Sequence, residues 1–297
     1  MKAKVRYLSA WFCPYAHRAT LALEYHCKFI DYEWVEALGW QQRSSEEMEG
    51  HNNHNSSSTK EWYYHWKADE LKRVNPSALV PTLIPYKESN LDESKAVYES
   101  LVCIDYIDHV ARLIATTQSD PLTKRTDFVG LVPVEDPYLM AKCRIWIDKV
   151  NKECCSPYYG VLVRTEDTER WEHFQILLRG LISFSQVLES TPGPTFLPHG
   201  QMSSVDLALI PWACRYHVLE HYRGDKYRIS AERYPQLQAY ETWFHYVFNL
   251  DFVKRTLPDP QKYLEHIQKY ADSTARSKVA NAVRRGAGAH EIDDNKD

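Results

Sequence analysis

The stretch VRYLSAWFCPYAHRATLALEY, Val5 to Tyr25, constrains this chain more than any other. An apolar run of strand length, Val5 to Phe12, meets Cys13-Pro14. Proline suits the first position of a helix, where its missing N–H removes no bond. The pattern predicts a strand over Val5 to Ala10 and a helix from Pro14 to about Tyr25. A thiol at that joint faces the unpaired N–H groups and the positive dipole end of the helix, which favour thiolate. Cys13 is therefore the candidate nucleophile; the alternative is a small buried core residue. Arg18 adds a positive charge one turn on, unless its side chain turns to solvent. Phe29 to Val35, rich in aromatic and β-branched residues, completes a βαβ unit.

At 297 residues the chain has room for two domains with separate cores. Its 44% hydrophobic and 26% charged residues are those of a soluble globular protein. A net charge of -4 points away from nucleic acid and from anionic membranes as partners. Seven cysteines without regular spacing predict a reducing, cytoplasmic setting and no disulfide framework. No apolar run nears the roughly 18 residues of a spanning helix, so no stable membrane insertion is expected. The first apolar run is cut short by Pro14, His17 and Arg18, which excludes a signal peptide in it.

Further along, residues 41–60 turn to Gln, Ser, Glu, Asn and His, a polar insertion that cannot bury enough apolar area to pack. His51, His54 and His65 lack cysteine or carboxylate neighbours at ligand spacing, so no metal is expected. Helical patterning is predicted over Glu61 to Arg73, ending before Asn75-Pro76. The strand in NPSALVPTLIP contains Pro81, which requires a sheet edge or a cis bond. In KAVYESLVCIDYID, Glu99-Ser100 opens an amphipathic helix, either as a cap or as a polar pocket able to hold a zwitterionic α-amino acid end. Helices are predicted over Pro137 to Cys155, Thr168 to Ser190, Tyr234 to Leu250 and Pro260 to about Val283. Ser203-x-x-Asp206 reads as a capping box before the helix LALIPWACRYHVLEHY.

Cys13-Pro14-Tyr15-Ala16 followed by Arg18 resembles the CP[FY]A-x-R turn of omega-class, cysteine-type glutathione transferases. The likeness extends to Val80-Pro81, Glu99-Ser100 and the Asp206 to Trp212 spacing, and so spans most of the chain. The long polar insertion departs from it. The resemblance implies the glutathione transferase fold, α/β plus all-α, with a thioredoxin-like domain over 1–112 and an all-helical domain over 136–283; sparse apolar periodicity places a linker over 113–135, and a Gly-Ala-Gly and charged composition a flexible tail over 284–297. It implies a cis bond at Val80-Pro81, with the Val80 backbone pairing with the cysteinyl part of glutathione. Ser100 would hold the γ-glutamyl carboxylate, Glu99 its amine or the fold of the pocket, and Lys67 the glycine carboxylate, with Phe12 adjoining. Tyr15, Trp212 and Arg215 would form the second-substrate pocket.

The implied activity is glutathione-dependent thiol transfer or reduction through Cys13: deglutathionylation or dehydroascorbate-type reduction, without a metal. Glutathione, or a larger thiol built on it, is the cosubstrate and a small disulfide or other oxidised molecule the substrate. A homodimer is compatible with the resemblance but not required by it. The rivals are a glutathionyl-hydroquinone reductase, whose turn shares His17-Arg18 but carries Trp in place of Tyr15, a chloride-channel relative, and a non-enzymatic transferase-fold regulator.

Overall fold

The structure, a computed structural model, describes residues 2–43, 61–117 and 128–292. The main part of the polar insertion, 44–60, lies outside them. Strand β1 (Ala3–Ser9), helix α1 (Pro14–Tyr25) and strand β2 (Ile30–Glu36) form the expected βαβ unit, with β1 and β2 parallel. Alternation puts Val5 and Tyr7 into the core, and Ala16, Ala19, Leu21, Ala22 and Leu23 of α1 close over them. Each fully buried leucine contributes about 2 kcal/mol. Tyr7 ties the layers together: its hydroxyl donates to the Ala16 carbonyl at 2.5 Å and meets Thr20 Oγ1 at 3.0 Å.

The region predicted as a helix over Glu61 to Arg73 is instead a strand followed by a short helix. In chain order, β3 (Leu38–Arg43) pairs antiparallel with β4 (Glu61–Lys67), and α2 (Asp69–Val74) follows. The aromatic run EWYYHWK fits a pleated surface better than a helix, where such side chains lose rotamer freedom. Gln41 to Arg43, expected in the insertion, therefore belong to a strand. Next come β5 (Thr82–Lys87), β6 (Asn90–Leu91) and β7 (Val97–Tyr98), which complete a sheet of order β2-β1-β5-β6 with β7 also on β5.

Helix α3 (Ser100–Thr117) runs five residues into the expected 113–135 linker. Its Asp108, fully buried, accepts the backbone N–H of Leu131 at 2.7 Å and of Val132 at 3.3 Å, and meets His26 Nε2 at 2.8 Å. One carboxylate thus pins the incoming connection and the end of α1. The helical domain continues through α4 (Pro137–Val150), a π-helical turn (Asn151–Cys155), α5 (Ser156–Val163), α6 (Asp167–Glu189), α7 (Ser204–Ala213), α8 (His217–Arg223), α9 (Gln238–Val247), α10 (Asp251–Lys254) and α11 (Pro260–Ala271). The helix expected to reach Val283 breaks after Ala271. Strand β8 (Ala275–Arg276) pairs parallel with β4, and Ser277 caps α12 (Lys278–Arg284).

Two features here decide what surrounds the site. All ten residues of α7 are buried, because it is the axis of the helical domain. Its capping box forms as predicted: Asp206 accepts from Ser203 N at 2.9 Å and Ser203 Oγ at 2.6 Å. Asp206 also accepts from Phe196 N at 3.1 Å and Trp243 Nε1 at 2.8 Å. The second feature corrects the expected loose tail over 284–297. Gly286, at φ 95, ends α12 in a Schellman turn, with Gly286 N on the Val283 carbonyl and Ala287 N on that of Ala282. The chain then packs inward, leaving Ala289 only 1% exposed. Residues 293–297 lie outside the described part. Asp206→Ala strands four donors at once, and should lower the free energy of unfolding by about 3 kcal/mol in urea titrations.

Candidate active site

Cys13 is the N-cap of α1, at φ -80 and ψ 116, with Pro14 at the first helical position. Its side chain caps the helix through no hydrogen bond. Burial pushes the thiol up, and this outweighs the backbone N–H groups of Ala16 and Tyr15 and the charges of Arg215 and Arg18, which act the other way. The thiolate-favouring groups expected from the sequence are present. The net direction is nevertheless the reverse of the expectation, because the turn is sunk between two domains rather than open at a surface.

A cavity of about 400 Å³ opens beside the sulfur. Cys13, Tyr15, Val80, Pro81, Glu99 and Ser100 all line it, so six residues from three separate stretches of sequence converge there. The Val80-Pro81 peptide is cis. Asn75 holds the loop before it, donating from Nδ2 to the Leu79 carbonyl and Thr82 Oγ1, both at 2.9 Å, and accepting Ser77 N at 3.0 Å. Glu99 sits at φ 69, a left-handed conformation costing a non-glycine residue about 1 kcal/mol, and is held by Cys103 N on its carbonyl at 2.8 Å. Ser100 follows as the first residue of α3, so a hydroxyl and unpaired helical N–H groups meet at the cavity wall.

The other expected residues are elsewhere. Phe12 is buried beneath the site, its ring stacked on His266 at 4.2 Å. Lys67 ends β4 opposite Leu38 and is not among the residues lining the cavity. Trp212 and Arg215 belong to the core, at 0% and 1% exposure, which corrects their placement at a second-substrate pocket. The reason is the burial of α7 on every side. Trp212 instead supports Tyr15 edge-on at 4.9 Å, while Arg215 lies over the Tyr263 ring at 4.6 Å and reaches His17 Nδ1 at 3.1 Å.

Arg18 is the residue at the cavity whose placement the sequence left open. It is 1% exposed, lines the cavity, and donates to Ser100 Oγ at 3.1 Å, Asn151 Oδ1 at 2.9 Å and the Ala208 carbonyl at 3.1 Å. Its position one turn after Cys13, on the face of α1 that meets the second domain, was the available signal. Val279, Ala289, His290 and Ile292 also line the cavity, and no local pattern pointed to them. Among the described residues no group of three His, Cys, Asp or Glu side chains could hold a metal ion, and no helix is long and apolar enough to cross a membrane.

Residues 12–110 match the family model of the glutathione S-transferase N-terminal domain. Glutathione S-transferase U27 of Arabidopsis thaliana is 28% identical over 205 residues, covering 68% of this chain and 76% of the relative. Glutathione transferase GST 23 of Zea mays is 25% identical, covering 67% and 76%. Among solved structures, the omega 3C glutathione transferase of Trametes versicolor aligns with a TM-score of 0.61 at 24% identity over 90% of both chains. The tau-class enzyme of mango, Mangifera indica, aligns with a TM-score of 0.64 at 21% identity, covering 90% and 98%. The fold is that of the glutathione transferases: a thioredoxin-like α/β domain, then a helical one. The relatives by sequence are glutathione transferases, and these two solved structures come from the omega and tau classes.

The raised Cys13 thiol has a direct consequence in the free protein. Its alkylation by iodoacetamide, followed by peptide mass spectrometry, should accelerate with pH to a midpoint above the ordinary thiol value of about 8.5.

Proposed function

We propose that the protein is an omega-like glutathione-dependent thiol transferase that uses Cys13 as its nucleophile on a small disulfide or other oxidised substrate. The observation that carries this reading is one cavity shared by the Cys13 sulfur, the cis Val80-Pro81 peptide and the Glu99-Ser100 helix start. Helix N–H groups and the Ser100 hydroxyl suit the γ-glutamyl carboxylate of glutathione, and the Glu99 carboxylate suits its amine. The Val80 backbone suits the cysteinyl amide in the manner of an added strand. Glutathione bound there would present its sulfur to Cys13.

In the first half-reaction the Cys13 thiolate attacks the glutathionyl sulfur of a mixed disulfide. A bond forms between Cys13 and glutathione, and the other half leaves as a thiol. A second glutathione attacks the adduct and releases oxidised glutathione and the Cys13 thiolate. No second cysteine adjoins Cys13, since Ala16 stands where a resolving thiol would, so the external thiol is required. The seven free cysteines of the chain suit a reducing, cytoplasmic setting. Tau-class neighbours raise conjugation of glutathione to electrophiles as the second reading. A cysteine disfavours it, because it traps the glutathione sulfur as a disulfide where a hydroxyl would only hold its thiolate.

Cys13→Ser should abolish both the glutathione adduct seen by mass spectrometry and deglutathionylation of a mixed disulfide; full activity in this variant would overturn the assignment. Ser100→Ala should raise KM for glutathione about tenfold, equivalent to about 1.4 kcal/mol, with a smaller change in kcat.

A further inference from the structure

Residues 286–292 supply part of the cavity wall, with Ala289, His290 and Ile292 lining it alongside Cys13, Glu99 and Ser100. Both domains fix this segment. Tyr15, two residues after Cys13, donates its hydroxyl to the Ala289 carbonyl at 3.1 Å, and Ala289 N donates to Ser156 Oγ at 2.8 Å. The next residue, His290, is thereby held at the cavity. Its ring packs closely on Gly288, where any side chain would collide with it, and Nδ1 is buried with no hydrogen-bond partner among the described residues. A buried polar nitrogen without a partner is uncommon in a native fold and calls for an explanation.

The other ionisable groups at the cavity are committed or peripheral. Arg18 is bound to Ser100, Asn151 and Ala208, and the Tyr15 hydroxyl to Ala289. Glu99 is exposed. Cys13, in contrast, holds its proton more firmly than an ordinary thiol, so the reaction gains from a base beside it.

We propose that His290 is the acid–base group of the thiol transfer, a catalytic role that rests on the thiol-transferase reading above. The neutral imidazole takes the proton from Cys13 Sγ, directly or through one water, and becomes imidazolium. The thiolate attacks the glutathionyl sulfur; the Cys13–sulfur bond forms as the substrate S–S bond breaks. The departing thiolate takes the proton from His290 and leaves as a neutral thiol. In the second half, His290 takes the thiol proton of the incoming glutathione, whose thiolate displaces Cys13 to give oxidised glutathione. The released Cys13 thiolate recovers that proton. Glutathione supplies the electrons throughout.

The test compares full-length wild type with His290→Gln and His290→Ala, using a glutathionylated small disulfide with glutathione as reductant, from neutral to alkaline pH. His290→Gln should lose about 100-fold in kcat/KM at neutral pH. That deficit should shrink as pH rises and Cys13 ionises unaided. Added imidazole should restore about a tenth or more of the lost rate to His290→Ala. A deficit that stays constant across pH, a loss below about threefold, or no recovery with imidazole would overturn the role, since a purely structural residue moves neither readout. Glutathione attachment to Cys13 of the wild type separates the two layers. If wild type takes no adduct, the thiol-transferase reading fails; if it does and His290→Gln turns over normally at every pH, only the His290 assignment fails.

Discussion

A single guanidinium holds the site together. Arg18 leaves α1 one turn after Cys13, spans the seam between the two domains, and finds no carboxylate among the described residues. It meets the Ser100 hydroxyl, the Asn151 amide and the Ala208 carbonyl instead, with its charge 4.4 Å from the Trp212 ring centroid. A buried cation is tolerated only when neutral acceptors and aromatic faces replace the water it has lost. Those acceptors come from the start of α3, the π-helical turn and α7, so satisfying one charge fixes the helix that carries Cys13, the Glu99-Ser100 turn and the second domain relative to one another.

The same burial acts against the thiol. Enclosing Cys13 strengthens every dipole directed at it, yet it also withdraws the water that would stabilise a thiolate. The turn is thus organised to hold a sulfur in place more than to ionise it. In the proposed reaction, a bound thiol or disulfide would bring its own reacting atom into that low-dielectric space, where a proton acceptor at the cavity wall supplies what burial withholds from Cys13.

Much of this was legible in the chain. Cys13-Pro14 marked the start of α1, Pro81 could only be an edge or cis residue, and Ser203 with Asp206 announced α7. Each is a local rule in which one residue type has few places to go. The misreadings have physical causes too. EWYYHWK supports a strand only because β3 and β8 offer it neighbours, which a local window does not reveal. Trp212 and Arg215 sit on a helix whose every face is covered, and the pattern of a single segment does not report how many sides will be packed. The contribution of residues 286–292 depends on Gly286 turning the chain back toward Tyr15 and Ser156, two contacts separated from it by most of the sequence.

The pairing of β8 with β4 bears on how such a protein can be taken apart. Two residues near the carboxyl end complete a sheet begun by the first domain, with Trp62 N donating to the Thr274 carbonyl at 2.8 Å beside them. The front half, made alone, would present an open edge of aromatic strand to its surroundings, the kind of surface on which chains self-associate. This scaffold is therefore a poor source of interchangeable cassettes: a chimera joined between the domains would have to inherit the closing strand along with the first domain.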